Sequence, residues 1–249
     1  MDPDTAIGGN QSRFPETRSS AIVNIGSEDT SLRDCAAEAL IAAYWKPVYK
    51  YIRIRWSQSN EDAKDLTQAF FTRALEKEFF SSYEPAKARF RTYLRACLDA
   101  FLSNENKAAT RTKRGGAEHF VSLDFETAEG ELRQQDIRSN EQSPEEYFHR
   151  EWVRNLFSVA LEDLRRDCHE RGKQLQYRVF ERYDLDDSGE KITYESLAVE
   201  FGISAATCTN YLAAMRRLLR QLVLERIRDT TASDREFRSE ARAVLGIEA

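Results

Sequence analysis

From Leu32 onward the apolar residues recur at helical spacing. Ala36, Leu40, Tyr44, Val48, Tyr51 and Ile52 follow a three-to-four period, which predicts a long helix kinked at Pro47. Ser59-x-x-Asp62 has the form of a capping box and predicts a second helix carrying Leu66, Phe70 and Ala74. After the turn residues Ser81-Ser82-Tyr83-Glu84-Pro85, a third helix places Phe90, Tyr93, Leu94, Cys97, Leu98 and Phe101 on one broad face. It runs out into Lys107, Arg111, Lys113, Arg114 and the Gly115-Gly116 pair. These helices make one compact unit, residues 31–116. The polar stretch before it, 1–30, is expected to be disordered, with a docked patch at Ala21-Ile22-Val23.

The pattern then changes. Between Glu118 and Glu146 nine acids face two arginines, a net charge of −7, with little apolar periodicity. Residues 117–142 are therefore expected to be an acidic flexible linker. Ser143-Pro144-Glu145-Glu146 ends it with a strong helix start: a capping serine, proline at the first helical position and glutamate at the third. The helix it opens carries Phe148, Trp152, Leu156, Val159 and Leu164 and stops near Gly172. A short helix follows with Leu175, Val179, Phe180 and Tyr183, then helices over 193–201 and 204–228. Residues 143–230 form the second predicted domain. Ser233-x-x-Glu236 caps a final short helix in the tail, 231–249. The expectation is an all-α chain of two small helical domains.

Composition narrows the function classes. The 249 residues carry a net charge of −5, 41% apolar residues, 32% charged residues and a mean hydropathy of −0.64. Small cores with much solvated surface follow. No run of eighteen apolar residues predicts a membrane span, and Met1-Asp2-Pro3-Asp4 lacks the order of a signal peptide. A cytoplasmic protein is expected. Cys35, Cys97, Cys168 and Cys208 are scattered, with no C-x-x-C pair, so neither disulfides nor structural zinc are expected. His119, His149 and His169 suggest no catalytic arrangement. Ten glycines contain no GxGxxG or GxxxxGK[ST] motif. Composition points away from an enzyme and from any cofactor.

Three segments could carry chemistry. Asp184-Leu185-Asp186-Asp187-Ser188-Gly189, with Glu195 at position twelve, matches the start of an EF-hand. Position eight, normally aliphatic, is Lys191, and no second loop pairs with it, so an acidic turn between helices is the better reading. Leu197-Ala198-x3-Gly202-Ile203-Ser204-x3-Cys208-x3-Leu212 has helix-turn-helix spacing. There Ser204 caps the second helix, Ala205, Ala206, Thr207, Thr209 and Asn210 lie at its groove-facing start, and Arg216, Arg217 and Arg220 follow where phosphates would lie. The competing reading is an ordinary helical hairpin. From Lys87 to Arg114, eight bases against two acids give +6, interleaved with Phe90 and Tyr93. A solvated helix face is the bland reading; nucleic-acid contact fits better.

Taken in order, these residues resemble a bacterial RNA polymerase sigma factor of the extracytoplasmic-function (ECF) type. Tyr44-Trp45-Lys46-Pro47-Val48-Tyr49-Lys50-Tyr51-Ile52-Arg53 resembles the family's first core helix. Glu61 to Phe71, with Asp65-Leu66-x-Gln68, resembles the segment gripping the polymerase clamp coiled coil. Phe90-Arg91-Thr92-Tyr93-Leu94 resembles the start of the helix that reads the minus-10 element, and Tyr194 to Arg217 the helix-turn-helix that reads minus-35. The resemblance spans most of residues 35–228. It implies a factor without catalytic residues or cofactor that binds core polymerase, through its clamp coiled coil and flap, and promoter DNA. It leaves room for an anti-sigma or other regulator, and a stand-alone helix-turn-helix regulator is the alternative. Asp62, Asp65, Gln68 and Phe71 would meet polymerase. Phe90, Arg91, Tyr93, Asn104, Lys107 and Arg111 would meet the minus-10 strand. Ser204, Ala205, Ala206, Thr207, Thr209, Asn210, Arg216 and Arg217 would meet minus-35 DNA. Two departures stand out: Ala69 replaces an acid of the core-binding motif, and Ala96-Cys97 stands where primary sigma factors carry a melting aromatic pair.

Overall fold

A computed structural model describes residues 20–76, 79–109, 123–134, 143–186, 189 and 192–246. The chain is all-α, and no strand occurs among the described residues. Its helices are α1 (Ala21–Asn24), α2 (Thr30–Arg55), α3 (Asn60–Glu76), α4 (Phe90–Ala109), α5 (Phe125–Gln134), α6 (Pro144–Glu170), α7 (Gln174–Phe180), α8 (Tyr194–Phe201), α9 (Ala205–Asp229) and α10 (Asp234–Leu245). A 3₁₀ turn, Phe79–Ser82, precedes α4, and a wide turn, Glu181–Leu185, extends α7. No helix is long and apolar enough to cross a membrane.

Side chains near the starts set several boundaries. Asp29 accepts from the N–H groups of Ser31 and Leu32 at the head of α2. Ser143 and Glu146 close a reciprocal capping box on α6, with Pro144 as its first residue. Each such cap is worth about 0.5–2 kcal/mol. Pro47 lies inside α2, which continues to Arg55.

The helices enclose two cores. The larger gathers Leu40, Tyr44, Phe70, Phe90, Phe125, Tyr147, Trp152, Ile227 and Phe237, from α2 to α10. The smaller gathers Leu164, Cys168, Val179, Phe180, Leu197, Cys208, Leu212 and Met215. Both α6 and α9 run through the two cores, so each long helix is a shared strut.

This corrects the expected division at the acidic stretch. The first half of α6 belongs to the larger core: Asn155 donates to the Ala42 and Ala43 carbonyls at 2.9 Å, and Phe148 meets Tyr51 edge-on at 5.7 Å. Within the expected linker, the described residues 123–134 form α5, which buries Phe125, Ala128 and Leu132 against α2. Two of its three acids, Glu129 and Glu131, are matched to bases about eighty residues away. Glu129 binds Arg53 at 2.8 Å and accepts from the Tyr49 hydroxyl at 2.7 Å; the Arg53 guanidinium holds its pKa down at about 2. Glu131 binds Lys46 and Lys50, and buried Lys50 also reaches Glu151 at 3.1 Å. A buried ammonium needs such partners, because taking it from water unpaired costs several kcal/mol. The rest of the expected linker, 117–122 and 135–142, lies outside the described residues, as do residues 1–19 of the expected disordered segment. Ala21 and Ile22 dock in the larger core, whereas Val23 is exposed.

Candidate nucleic-acid interface

The segment expected to be a helix-turn-helix consists of α8, Gly202-Ile203-Ser204 and the start of α9. Thr193 caps α8, exchanging hydrogen bonds with Ser196. Gly202 ends it at φ +64°, a left-handed conformation in which a side chain would be strained. The N–H of Ile203 returns to the Ala198 carbonyl at 3.0 Å. Ser204 then accepts from the Thr207 N–H at 3.0 Å and bonds its hydroxyl at 2.8 Å. Ser204 and Thr207 are thus engaged in starting α9.

Cys208, Leu212 and Met215 seat α9 in the smaller core. Ala206, Thr209, Asn210, Ala213, Arg216 and Arg217 remain exposed along the opposite stripe, with Ala205 half-buried beside it. Thr209 spends its hydroxyl on the Ala205 carbonyl, 3.1 Å away. The two arginines differ. Arg216 holds Asp184 through two hydrogen bonds of 2.9 and 2.7 Å and lies over the Tyr183 ring. Arg217 is exposed and pairs with no described acid. Nothing in their local sequence separates the two; Ala213, a further residue of the stripe beyond those expected, has its place there from the spacing 206, 210, 213, 217.

At the start of α4 the outcome is different. Phe90, expected to capture a base, is 1% exposed, edge-on to Tyr44 and Tyr83 in the larger core. That burial corrects the expected role of the ring. Arg91 is buried too, ion-paired with Glu240 of α10 and lying 5.2 Å over the Trp152 ring. Tyr93 donates its hydroxyl to the Phe79 carbonyl at 2.6 Å and is half-buried. The neighbouring cations are also engaged: Lys87 with Glu84, Arg89 with Ser239 and Glu240, Arg95 with Asp99. Asn104 is exposed further along α4. The backbone of Lys107 belongs to α4, and Arg111 lies outside the described residues. His149 stacks on Trp152; burial, then Arg91 and Arg89, push its pKa down to about 4.

On α3 the polar residues expected to meet a partner line its outer side. Asp62 and Asp65 are exposed, Gln68 is half-buried, and Ala69 is exposed between them and Glu76. Asp62 also accepts from the Ser59 hydroxyl at 2.7 Å, closing the cap. Phe71 is corrected: at 1% exposure it packs on Phe70 and offers no anchor to a partner.

No family model, curated protein or solved structure matches the chain. What it can do is read from its own residues. Among the described residues no three His, Cys, Asp or Glu side chains gather where a metal would be held. In the EF-hand-like turn Asp184 is bound by Arg216 and Asp186 by Arg182, while Asp187, Ser188 and Lys191 lie outside the described residues.

Proposed function

We propose that this chain is a sigma factor of the extracytoplasmic-function type, directing core RNA polymerase to specific promoters. The observation that carries this is the exposed stripe of α9. A capped helix follows a tight left-handed turn from a shorter helix, as in a DNA-binding helix-turn-helix. It presents small residues, then Thr209 and Asn210, then Arg217. Small side chains let a helix enter the major groove closely. Asn210 can donate and accept at base edges, and Arg217 supplies charge to phosphates. The acidic outer side of α3, with Asp62, Asp65 and Gln68, is the surface for the clamp coiled coil. Such a factor works in the cytoplasm and needs neither catalytic residues nor cofactor.

The test is co-purification of the full chain with core polymerase, followed by promoter binding of the assembled enzyme. Asp65→Ala with Gln68→Ala should lower core-polymerase binding while leaving the circular dichroism spectrum intact, since neither side chain is in a core. Asn210→Ala should cost about 1–3 kcal/mol and relax preference at one or two minus-35 positions. Sequence-specific DNA binding without any binding to core polymerase would replace this reading with a stand-alone regulator.

A further inference from the structure

We propose that α10 is an intramolecular plug: its inward carboxylates close the cationic start of α4, and its release uncovers a site for single-stranded DNA phosphates at Arg89 and Arg91. The proposal rests on reading the chain as a promoter-recognition factor, and deepens it.

The orientation of α10 is the first ground. Glu236, Phe237, Glu240 and Ala241 face inward and are buried, while Arg235, Arg238 and Arg242 are exposed on the outer side. A helix docked for burial alone would turn its carboxylates to water, where they cost nothing. Here two of its three acids point in: Glu236 toward backbone N–H groups and a hydroxyl, Glu240 toward cations.

The second ground is what they touch. Glu236 accepts from the Phe90 N–H, the first residue of α4, at 2.8 Å, and from the Tyr83 hydroxyl at 2.9 Å. Its other oxygen takes the Ala232 N–H at 2.9 Å. Glu240 binds Arg91 and lies 3.6 Å from Arg89. A helix N-terminus flanked by two guanidinium groups is a place for a phosphate. The two carboxylates of α10 occupy it.

The third ground is the quality of the seal. Phe237 is the one large apolar side chain that α10 buries fully, with Arg228 stacked on its ring, while Val244 and Leu245 pack against the core only in part. The second oxygen of Glu240 is buried without a hydrogen-bond partner, and burial raises the pKa of its carboxyl. A half-satisfied buried polar contact holds less firmly than an apolar one, which suits a contact that opens. If the site is open about one-tenth of the time, its apparent affinity is about tenfold below that of the open form.

The experiment compares the full chain with a chain ending at Ala232, using fluorescence anisotropy with a labelled single-stranded oligonucleotide of mixed sequence. The shortened chain should bind about tenfold more tightly, and adding Arg91→Gln to it should cancel the gain. Glu240→Gln in the full chain keeps the apolar contacts and should give a smaller gain of the same sign. Hydrogen exchange in α10 should speed up when the oligonucleotide is added. A folded shortened chain that binds no more tightly overturns the plug. If the shortened chain fails to fold, a folded Glu240→Gln chain with unchanged affinity overturns it instead. A gain in a chain that never binds core polymerase leaves the plug standing and removes the sigma reading. Core-polymerase binding without any gain removes the plug alone.

Discussion

The start of α4 and the first half of α9 both set arginines beside uncharged side chains, yet the fold treats them in opposite ways. At α4 the described cations of the first turns meet acids of this same chain, and Phe90 lies in the larger core. At α9 the stripe from Ala206 to Arg217 stays open, and only Arg216 is held, by Asp184. Local charge is therefore a poor measure of available charge. The +6 counted over Lys87–Arg114 includes Arg91, which Glu240 neutralises from 149 residues away. What decides is whether a helix with an acidic inner face has been folded onto the segment. For α4 one has, and for the start of α9 none of the described helices is.

The sharpest way to break this contrast is to remove what the closed face rests on. Trp152 is 1% exposed, lies under the Arg91 guanidinium and sits in the larger core. Trp152→Ala should cost about 3–5 kcal/mol in urea unfolding, through lost burial and the cavity left behind. Hydrogen exchange should show α10 losing protection most, with α8 and the start of α9 least affected, because those lie on the smaller core. Equal loss at both would mean that the two faces are not separately supported.

A smaller effect sharpens the role of acids folded onto bases. Glu129 in α5 has a pKa held at about 2, against its ordinary 4.5, by the guanidinium of Arg53. A depressed carboxylate contributes stability that is fully present above about pH 4.5 and lost as pH falls toward 2. Glu129→Gln should cost about 1.5–3 kcal/mol at neutral pH. Its deficit relative to the parent chain should shrink steadily across that acid window. A deficit independent of pH would mean that the shape of the side chain matters at this position and its charge does not.

Much of the fold was legible because helices announce their ends locally. Ser143-Pro144 with Glu146, Ser204 and Ser233 each cap the helix that the pattern predicted. The docking of α5 was harder to read. Phe125, Ala128 and Leu132 do recur at helical spacing, but they are few among acids whose partners, Lys46, Lys50 and Arg53, lie on α2. A charge count over a window cannot see a counter-charge that distant. The same blindness made Phe90 and Phe71 look available: an aromatic ring on a helix is open or buried according to what packs over it. Glu236 and Glu240 beside Phe237 and Ala241 are the signal that α10 has an acidic inner face, though the sequence does not say which bases it meets. At α9 the local pattern was enough for the cap and the left-handed turn, which depend on neighbours in sequence; the exposure of the stripe and the hold of Asp184 on Arg216 depend on what packs nearby.

The smallest expected effect separates the two arginines of the open face. A cation that neutralises a DNA phosphate releases a counterion, so removing it flattens the dependence of binding on salt by about one unit of log–log slope. Arg217 is exposed with no described acid beside it, so Arg217→Ala should show that full change. Arg216 already commits one edge of its guanidinium, Nε and Nη2, to Asp184 at 2.9 and 2.7 Å, and must give up that carboxylate to offer its full charge to a phosphate. Its removal should change the slope less, and sequence preference should stay as it was. Asp184→Asn tests the cause directly. Freed of its counter-charge, Arg216 should behave like Arg217: DNA affinity should rise, and Arg216→Ala in that background should recover the full slope change. On the proposed function, the measurement is promoter binding over a range of salt concentrations by core polymerase assembled with this chain. Equal slopes for the two single variants, with no effect of Asp184→Asn, would show that the Arg216–Asp184 pair opens freely on DNA. The open face would then extend over both arginines.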